Sequence, residues 1–594
     1  MINTITPGWV TFGLALPQGS GKSIAFDAPC QFDVKKRYDD GTVKFGIVTT
    51  RGGSGGAWKP TLSIGFEGNP TTVPEVNHAF RMVFRFSNGT VVSVVPPKGS
   101  VDTWLSGPLV TERRTVVPVA YGIVVVFDTR SYVDGSVRMD VCVENCLDLA
   151  GSDVRVYTCE MWDGSNKLAT YNVSHYYLTR WRWTCGLNGF VGGTCVQDFS
   201  SAFDSGLMPR WDSSVIDYAD VIPSEDGQRP GQYLPLSAGG LNPYMGDVGG
   251  RDEIGLLPWR YVRGVVHRRA SQLELIKAVG DTAASWPIHI RNAVTGAPVN
   301  IDQRPQFWLD MSWRGDDKPM TDVRGRTGPL KPDASHTPAL SLIPYLITGD
   351  RFHADELAWW AHFALYGTYQ DRLKNARGGS LGLLKGNIQV RGVAWPLRNL
   401  GHAYAWLPDQ DVGYFRGKIA SNKAWFAEQV ANSPSPYSFM DDARPENKGS
   451  LAIVALWERN YLASSLEYIG EEVLKRHLVT LQCDLLTNPG TYDARFAMPM
   501  TFGIGNRSYA GGPISSYAQT LEALAAINIW PGRTPNPTLG YYGVDARMAL
   551  IYGLRMGLPG LKSAYDSLTT TVCKTRFNNQ PSDAGWRCGF DIAL

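Results

Sequence analysis

This sequence has little of what marks a membrane, secreted or nucleic-acid-binding protein. Its most apolar short run, Gly122 to Phe127, is far too short to cross a bilayer. The start, M-I-N-T-I-T-P-G-W-V, has no basic region followed by a sustained apolar stretch, so no secretory signal is read and a soluble chain is expected. Charge is nearly balanced, with 57 basic and 55 acidic residues and a net charge of +2. That speaks against a nucleic-acid partner held by a large positive field. The nine cysteines are odd in number and hold no C-x-x-C pair. Their one C-x-x-x-C, at Cys142 and Cys146, has no second pair at zinc-finger distance, so buried free thiols are expected, with no metal and no cofactor. No repeat of fixed length appears, which disfavours a regular solenoid.

What the chain does have is length and aromatic side chains. At 594 residues it should form two to four domains. Its 19 Trp and 26 Tyr supply flat rings that stack on sugars and equally fill cores. The first part reads as β structure. Trp9 to Leu16 is extended, and Val43 to Thr50 follows an Asp-Gly turn. In F-R-M-V-F-R-F-S-N-G-T-V-V-S-V-V, Phe80, Met82, Phe84 and Phe86 alternate with Arg81 and Arg85, and Asn88-Gly89 makes the turn. A first β domain over 1–110 is expected. A second β module over 111–220 contains the strand near Gly122 to Asp128, a further Asp-Gly hairpin into Val137 to Val143, and an aromatic ladder of Tyr177, Thr179, Trp181 and Trp183 backed by Arg180 and Arg182. Such a ladder either binds glycan or lines the inside of a sandwich.

Residues 221–250 are rich in Pro and Gly and read as a linker. Beyond them the apolar period changes from two to 3.6. Helices are expected near 255–282, 336–348, 351–368, 387–406, 411–431, 450–468, 471–486, 515–527, 542–556 and 560–571, with Asp350 as an N-cap. This succession over 251–572 suits an α/α toroid, followed by a tail over 573–594. In the fourth helix Arg391, Trp395, Arg398 and His402 fall at i, i+4, i+7 and i+11, one stripe on a helical surface. Pro396 should kink it. Two readings stay open: a surface helix with solvated or paired arginines, or the wall of a polar, aromatic cleft.

Several phrases together resemble one group of proteins. W-V-T-F-G-L-A-L-P-Q-G (Trp9–Gly19) and Y-D-D-G-T-V-K-F (Tyr38–Phe45) resemble the RIFT-barrel domain of proteins similar to exo-acting rhamnogalacturonan lyases. G-G-R-D-E-I-G-L-L-P-W-R (Gly249–Arg260), S-W-P-I-H-I-R-N (Ser285–Asn292), H-T-P-A-L-S-L-I-P-Y-L-I-T-G-D (His336–Asp350), V-R-G-V-A-W-P-L-R-N-L (Val390–Leu400) and Y-G-V-D-A-R-M-A-L (Tyr542–Leu550) resemble segments of large bacterial and phage proteins of that branch. The resemblance spans nearly the whole chain. It implies a multidomain β + α architecture: an N-terminal antiparallel RIFT barrel, a β-sandwich and an α/α toroid. The relatives' pattern has Gln after the histidine and Ser after the tryptophan, where this chain has Thr337 and Pro396. With no signal peptide, a phage origin is attractive; the protein would then sit on a tail among other virion proteins and meet a host surface polysaccharide. Otherwise its location is cytoplasmic or unknown.

Within a toroid cleft two reactions are weighed. β-Elimination of a uronate needs a cation for the carboxylate and a base for the α-proton. Arg391 and Arg398 suit the first role, since guanidinium binds carboxylate in bidentate fashion. His336 or His402 suits the second, with Tyr345 as proton donor. Hydrolysis needs two opposed carboxyls; the candidates are Asp310 between Trp308 and Trp313, Asp252 and Glu253, and Asp441, Asp442 and Glu446. No carboxyl pair has a diagnostic spacing, so elimination is preferred, with Trp395, Trp308, Asp310 and Trp313 as substrate contacts. The alternative is a non-enzymatic tail or baseplate protein with a structural or receptor-binding role.

Overall fold

The computed structural model describes residues 3–27, 29–53, 56–58, 62–64, 71–204, 208, 234–246, 252–309, 319–368, 377–385, 390–432, 451–454, 456–487, 502–505 and 541–568. Its first two hundred residues are strands in several antiparallel sheets, and helices dominate from Trp259 onward. None of the described helices is long and apolar enough to cross a membrane.

The opening strand Gly8–Ala15 pairs with Val43–Gly52, which pairs with Cys30–Arg37. Val10, Phe12 and Leu14 alternate into a small core with Val43 and Val48. The other face carries Phe45 and Ile47 toward the helices. Two larger sheets follow. One has the order Thr103–Ser106, Val110–Pro118, Val124–Tyr132, Val137–Asn145, Thr179–Leu187; the other has Asn166–His175, Arg155–Asp163, Phe80–Phe86, Val91–Val94. They share one core of Phe80, Met82, Phe84, Val125, Phe127, Met139, Val141, Tyr157 and Trp181, the packing of a sandwich. The Asn88-Gly89 turn sits where expected, with Gly89 at φ +86°. Its hairpin lies before residue 110 yet pairs with Arg155–Asp163, so the two-sheet unit begins near Phe80. The physical reason is that Phe80, Met82 and Phe84 complete an apolar face supplied mostly by later strands. In this sheet pair Trp181 is core, 1% exposed, while Arg180 and Arg182 point the other way.

The helices follow the apolar period, with three informative departures. The expected 255–282 helix is two, Trp259–His267 and Ala270–Asp281, because Arg268 adopts a left-handed conformation at φ +53°. The 336–348 helix is a short 3-10 turn, Ala334–His336, followed after a gap by Leu342–Thr348; Thr337, the residue before Pro338, is extended, as proline requires of its predecessor. In the 450–468 span the helix begins at Leu456, after the short strand Leu451–Val454. The other described helices are Arg351–Tyr366, Arg391–Trp406, Gly413–Ala431, Glu472–Thr487, Tyr541–Arg555 and Leu561–Leu568. Arg391–Trp406 is central: it packs against Arg351–Tyr366 on one side and Leu456–Glu467 on the other. Gly401 permits the second contact, since a Cβ there would stand 2.9 Å from the Tyr468 Cβ. The expected helix at 515–527, the tail over 573–594 and residues 221–233 and 247–250 of the expected linker lie outside the described residues.

The face of the five-stranded sheet that looks away from the sandwich core is charged, and the helices cover it. Asp350 has the N-cap position of Arg351–Tyr366, but its carboxylate makes no capping bond. It accepts instead from Arg130 (3.0 Å), Arg138 (2.7 and 2.8 Å) and Arg182 (2.5 Å), all from the sheet. Six residues on, Glu356 takes Arg180 at 2.5 Å and His289 at 3.0 Å, and Asp355 takes Arg114 at 2.8 Å. Burial alone would raise the Asp350 carboxyl, but Arg138 and Arg182 outweigh it and hold it well below the usual carboxylate range.

Candidate active site at the start of the Arg391–Trp406 helix

The stripe read from the sequence exists, and most of it is inside the protein. Trp395, Arg398 and His402 are each 0% exposed. Arg391 and His402 are eleven residues apart, roughly 16 Å along the axis at 1.5 Å per residue, so the stripe meets different neighbours along its length.

At its middle the stripe ties chain segments together. Trp395 Nε1 donates to the Ile254 carbonyl. Arg398 donates to the carbonyls of Ile254, Gly255 and Thr337 and, at 2.6 Å, to the Tyr461 hydroxyl. Asn399 Nδ2 reaches the Pro338 carbonyl at 3.2 Å. Thus the G-R-D-E-I-G and H-T-P phrases, some eighty residues apart, are held by the V-R-G-V-A-W-P-L-R-N phrase. Arg398 was a candidate carboxylate clamp; in the fold its donors are engaged by backbone oxygens and a phenol, and it positions the segment that follows His336.

His336 closes the 3-10 turn that Asp333 caps. Its Nδ1 lies 2.5 Å from Asp333 Oδ2, and Nε2 has no hydrogen-bond partner among the described residues. The imidazole is nearly buried, 5% exposed, whereas the Asp333 side chain is 34% exposed, so the pair runs from the interior to the surface. The His336 ring lies 6.4 Å from that of Trp395. Trp395 in turn stacks on Tyr461 at 4.6 Å and meets Trp457 edge-on at 5.6 Å. Burial pushes the Asp333 carboxyl up, but the hydrogen bond and charge of His336, the Ser335 amide and the Arg391 guanidinium bring it below its ordinary value. Arg391 is steadied by Glu458, which accepts from its amide at 3.0 Å and stands 3.8 Å from its Nε. An aspartate on one ring nitrogen fixes the neutral tautomer with its proton on Nδ1 and leaves Nε2 as the basic lone pair, the arrangement of an oriented general base.

The other candidates lie elsewhere. His402 packs edge to face on Tyr468 at 4.5 Å, and neither ring nitrogen has a partner among the described residues. Burial, then the Arg398 charge, holds its pKa well below the ordinary value. Tyr345 is 0% exposed beside Phe45 at 5.2 Å, and Phe45 touches Trp406 at the far end of the helix. Burial pushes the Tyr345 phenol well up, so a proton donor there would be both remote from His336 and reluctant. Trp308 is 4% exposed and belongs to the interior. Asp310, Trp313, Asp441, Asp442 and Glu446 lie outside the described residues. Asp333, Glu458 and Tyr461 were not singled out from the sequence. For Asp333 a signal was present in D-A-S-H, where a cap residue three before a histidine brings the two side chains together.

No group of three or more His, Cys, Asp or Glu among the described residues is placed to hold a metal ion. Cys142 and Cys146 are buried free thiols. No protein-family model matches this chain, and no curated protein matches it.

Proposed function

We propose that this protein binds an acidic polysaccharide and cleaves it by β-elimination, with the His336 region as its active site. The observation that carries the reading is the Asp333–His336 hydrogen bond beside Arg391 and Trp395. In this mechanism Nε2 of His336, buried in the free protein, is uncovered as substrate binds and takes the proton next to the uronate carboxylate, Arg391 offsets the charge that develops on that carboxylate, and Asp333 stabilises the imidazolium. The imidazolium then returns the proton to the departing glycosidic oxygen, and a ring double bond forms as the C–O bond breaks. Trp395 is fully buried, so it is not the substrate contact expected from the sequence; it packs behind the base and fixes the ring's surroundings. Arg398 and Asn399 keep the His336 segment in register.

The same proposal includes the finer architecture that the sequence resemblance implies: a RIFT barrel at the N-terminus and an α/α toroid formed by the helices, as in proteins similar to exo-rhamnogalacturonan lyases. It also includes a place on a phage tail, where the substrate would be a host surface glycan. The test is incubation of the purified chain with acidic and neutral bacterial polysaccharides, following new reducing ends and the ultraviolet absorbance of unsaturated uronates together. Both should rise, and His336→Ala should lower the rate by about 10²–10⁴-fold, the usual worth of a general base. Arg391→Ala should also lose most activity. Reducing ends without absorbance would mean hydrolysis and turn attention to Asp333 and Glu458. Silence in both with glycan binding retained would favour an adhesive or structural virion protein.

A further inference from the structure

A cavity of about 390 Å³ opens where the first sheet, the five-stranded sheet and the Ala270–Asp281 helix meet. It shares no residue with the His336 site. We propose that it binds a small neutral ligand rich in hydroxyl groups, of the sugar class.

The volume falls in the range of small-molecule sites, which favour junctions between structural units. Its apolar lining includes Phe190, Leu273 and Ile347. Its charged lining includes Arg138, Glu274, Lys277 and Asp281. Asp281 gives one oxygen to Arg182 at 2.8 Å yet its side chain remains 39% exposed, and Arg138, bound to Asp350, remains 20% exposed. Glu274 and Lys277 pair with each other and are 40% and 33% exposed.

Charge decides the ligand class. The cations of the wall, Arg130, Arg138, Arg182 and Lys277, face Glu274, Asp281 and Asp350, with Glu112 and Asp140 paired to the same arginines from behind. No positive excess is left for an anion, and a cation would meet fixed guanidinium groups. A hydroxyl both donates and accepts, so neighbouring hydroxyls can bridge a carboxylate and an adjacent cation without disturbing either pair. The carbon face of a sugar ring would lie against the apolar lining residues.

The test is isothermal titration and thermal unfolding of the full chain with glucose, galactose, lactose and galacturonate. A neutral sugar should bind with one-to-one stoichiometry and raise the unfolding midpoint. Glu274→Gln should weaken binding roughly tenfold, the cost of one hydrogen bond to a charged group. Thr184→Trp, at an exposed strand position on the cavity wall, should abolish binding by filling the mouth. Absence of binding by every neutral sugar, preference for galacturonate, or affinity unchanged in both variants would each overturn the proposal.

Discussion

Two groups of polar side chains are buried between elements of this protein: one where the five-stranded sheet meets the Arg351–Tyr366 helix, the other along the Arg391–Trp406 helix. In the first, each charge has an opposite charge. Asp350 takes three arginines, Glu356 takes Arg180 and His289, and Glu144 takes Arg180 and Arg291. In the second, Arg398 is met by neutral oxygens, while His336 Nε2 and both nitrogens of His402 have no partner among the described residues. A buried charge must be compensated or it costs several kcal/mol, so the paired seam reads as a docking surface between strands and helices. A buried imidazole with an unused nitrogen costs stability and is tolerated where chemistry needs it or where packing outweighs it. His336 and His402 exemplify the two cases, since only His336 is oriented by a carboxylate.

Acid acts on the buried histidines and on the seam carboxylate in different pH ranges. The histidines are spread over both regions: His353 and His362 lie on the seam helix, His402 on the stripe, and His175 in the sandwich. Burial lowers His175 to about 4 and His362 to about 3, and holds His353 and His402 well below their ordinary value. These groups are neutral when folded, and the unfolded chain takes up protons below about pH 6.5. Stability is therefore lost as pH falls from 6.5 toward the folded values. His175 and His362 alone should cost on the order of 4–5 kcal/mol by pH 4.5. The seam carboxylate loses stability in the same direction but over a lower range: the depressed carboxyl of Asp350 contributes fully above about pH 4 and loses its contribution only as pH falls through its lower folded value. Denaturant midpoints at pH 7, 5.5 and 4.5 should fall steadily. A flat profile over that range would show that the histidines are not the acid-sensitive element.

Asp350→Ala attacks the seam directly. It leaves Arg130, Arg138 and Arg182 facing one another with fewer carboxylates, and the expected loss is about 3–5 kcal/mol. Thermal or denaturant unfolding measures it. A loss below 1 kcal/mol would mean that water reaches the arginines and that the seam is no sealed interface.

The seam also marks the limit of what the sequence discloses. Period two and the Asp-Gly and Asn-Gly turns located the hairpins, and the 3.6 period located most of the described helices, though it missed the break at Arg268 and the late starts at Leu342 and Leu456. Alternation states that two faces of a strand differ; it does not state that the polar face will be covered. Arg130, Arg138, Arg180 and Arg182 therefore read like a solvated surface, although Asp350, Asp355 and Glu356, grouped at one helix start, complement them. The Arg391–Trp406 stripe was legible as a stripe for the same geometric reason, and its burial was not. Whether an arginine clamps a ligand or a backbone depends on residues as distant as Thr337 and Ile254, 61 and 144 positions away. Asp333 was the exception, a partner three residues from His336.

The smallest expected effect sharpens the comparison furthest. His402→Phe keeps a ring against Tyr468 and removes two nitrogens that have no described partner. An unsatisfied buried polar group costs about 1–3 kcal/mol, while the slightly larger ring costs some of that back through crowding beside Gly401. The variant should be as stable as the parent at pH 7, or up to about 1 kcal/mol more stable. Its advantage should grow in acid, because one of the titrating imidazoles is gone. Polysaccharide cleavage should persist, in contrast to His336→Ala. A loss of 2 kcal/mol or more at pH 7 would show that His402 is hydrogen-bonded in solution, and the stripe would then be compensated like the seam.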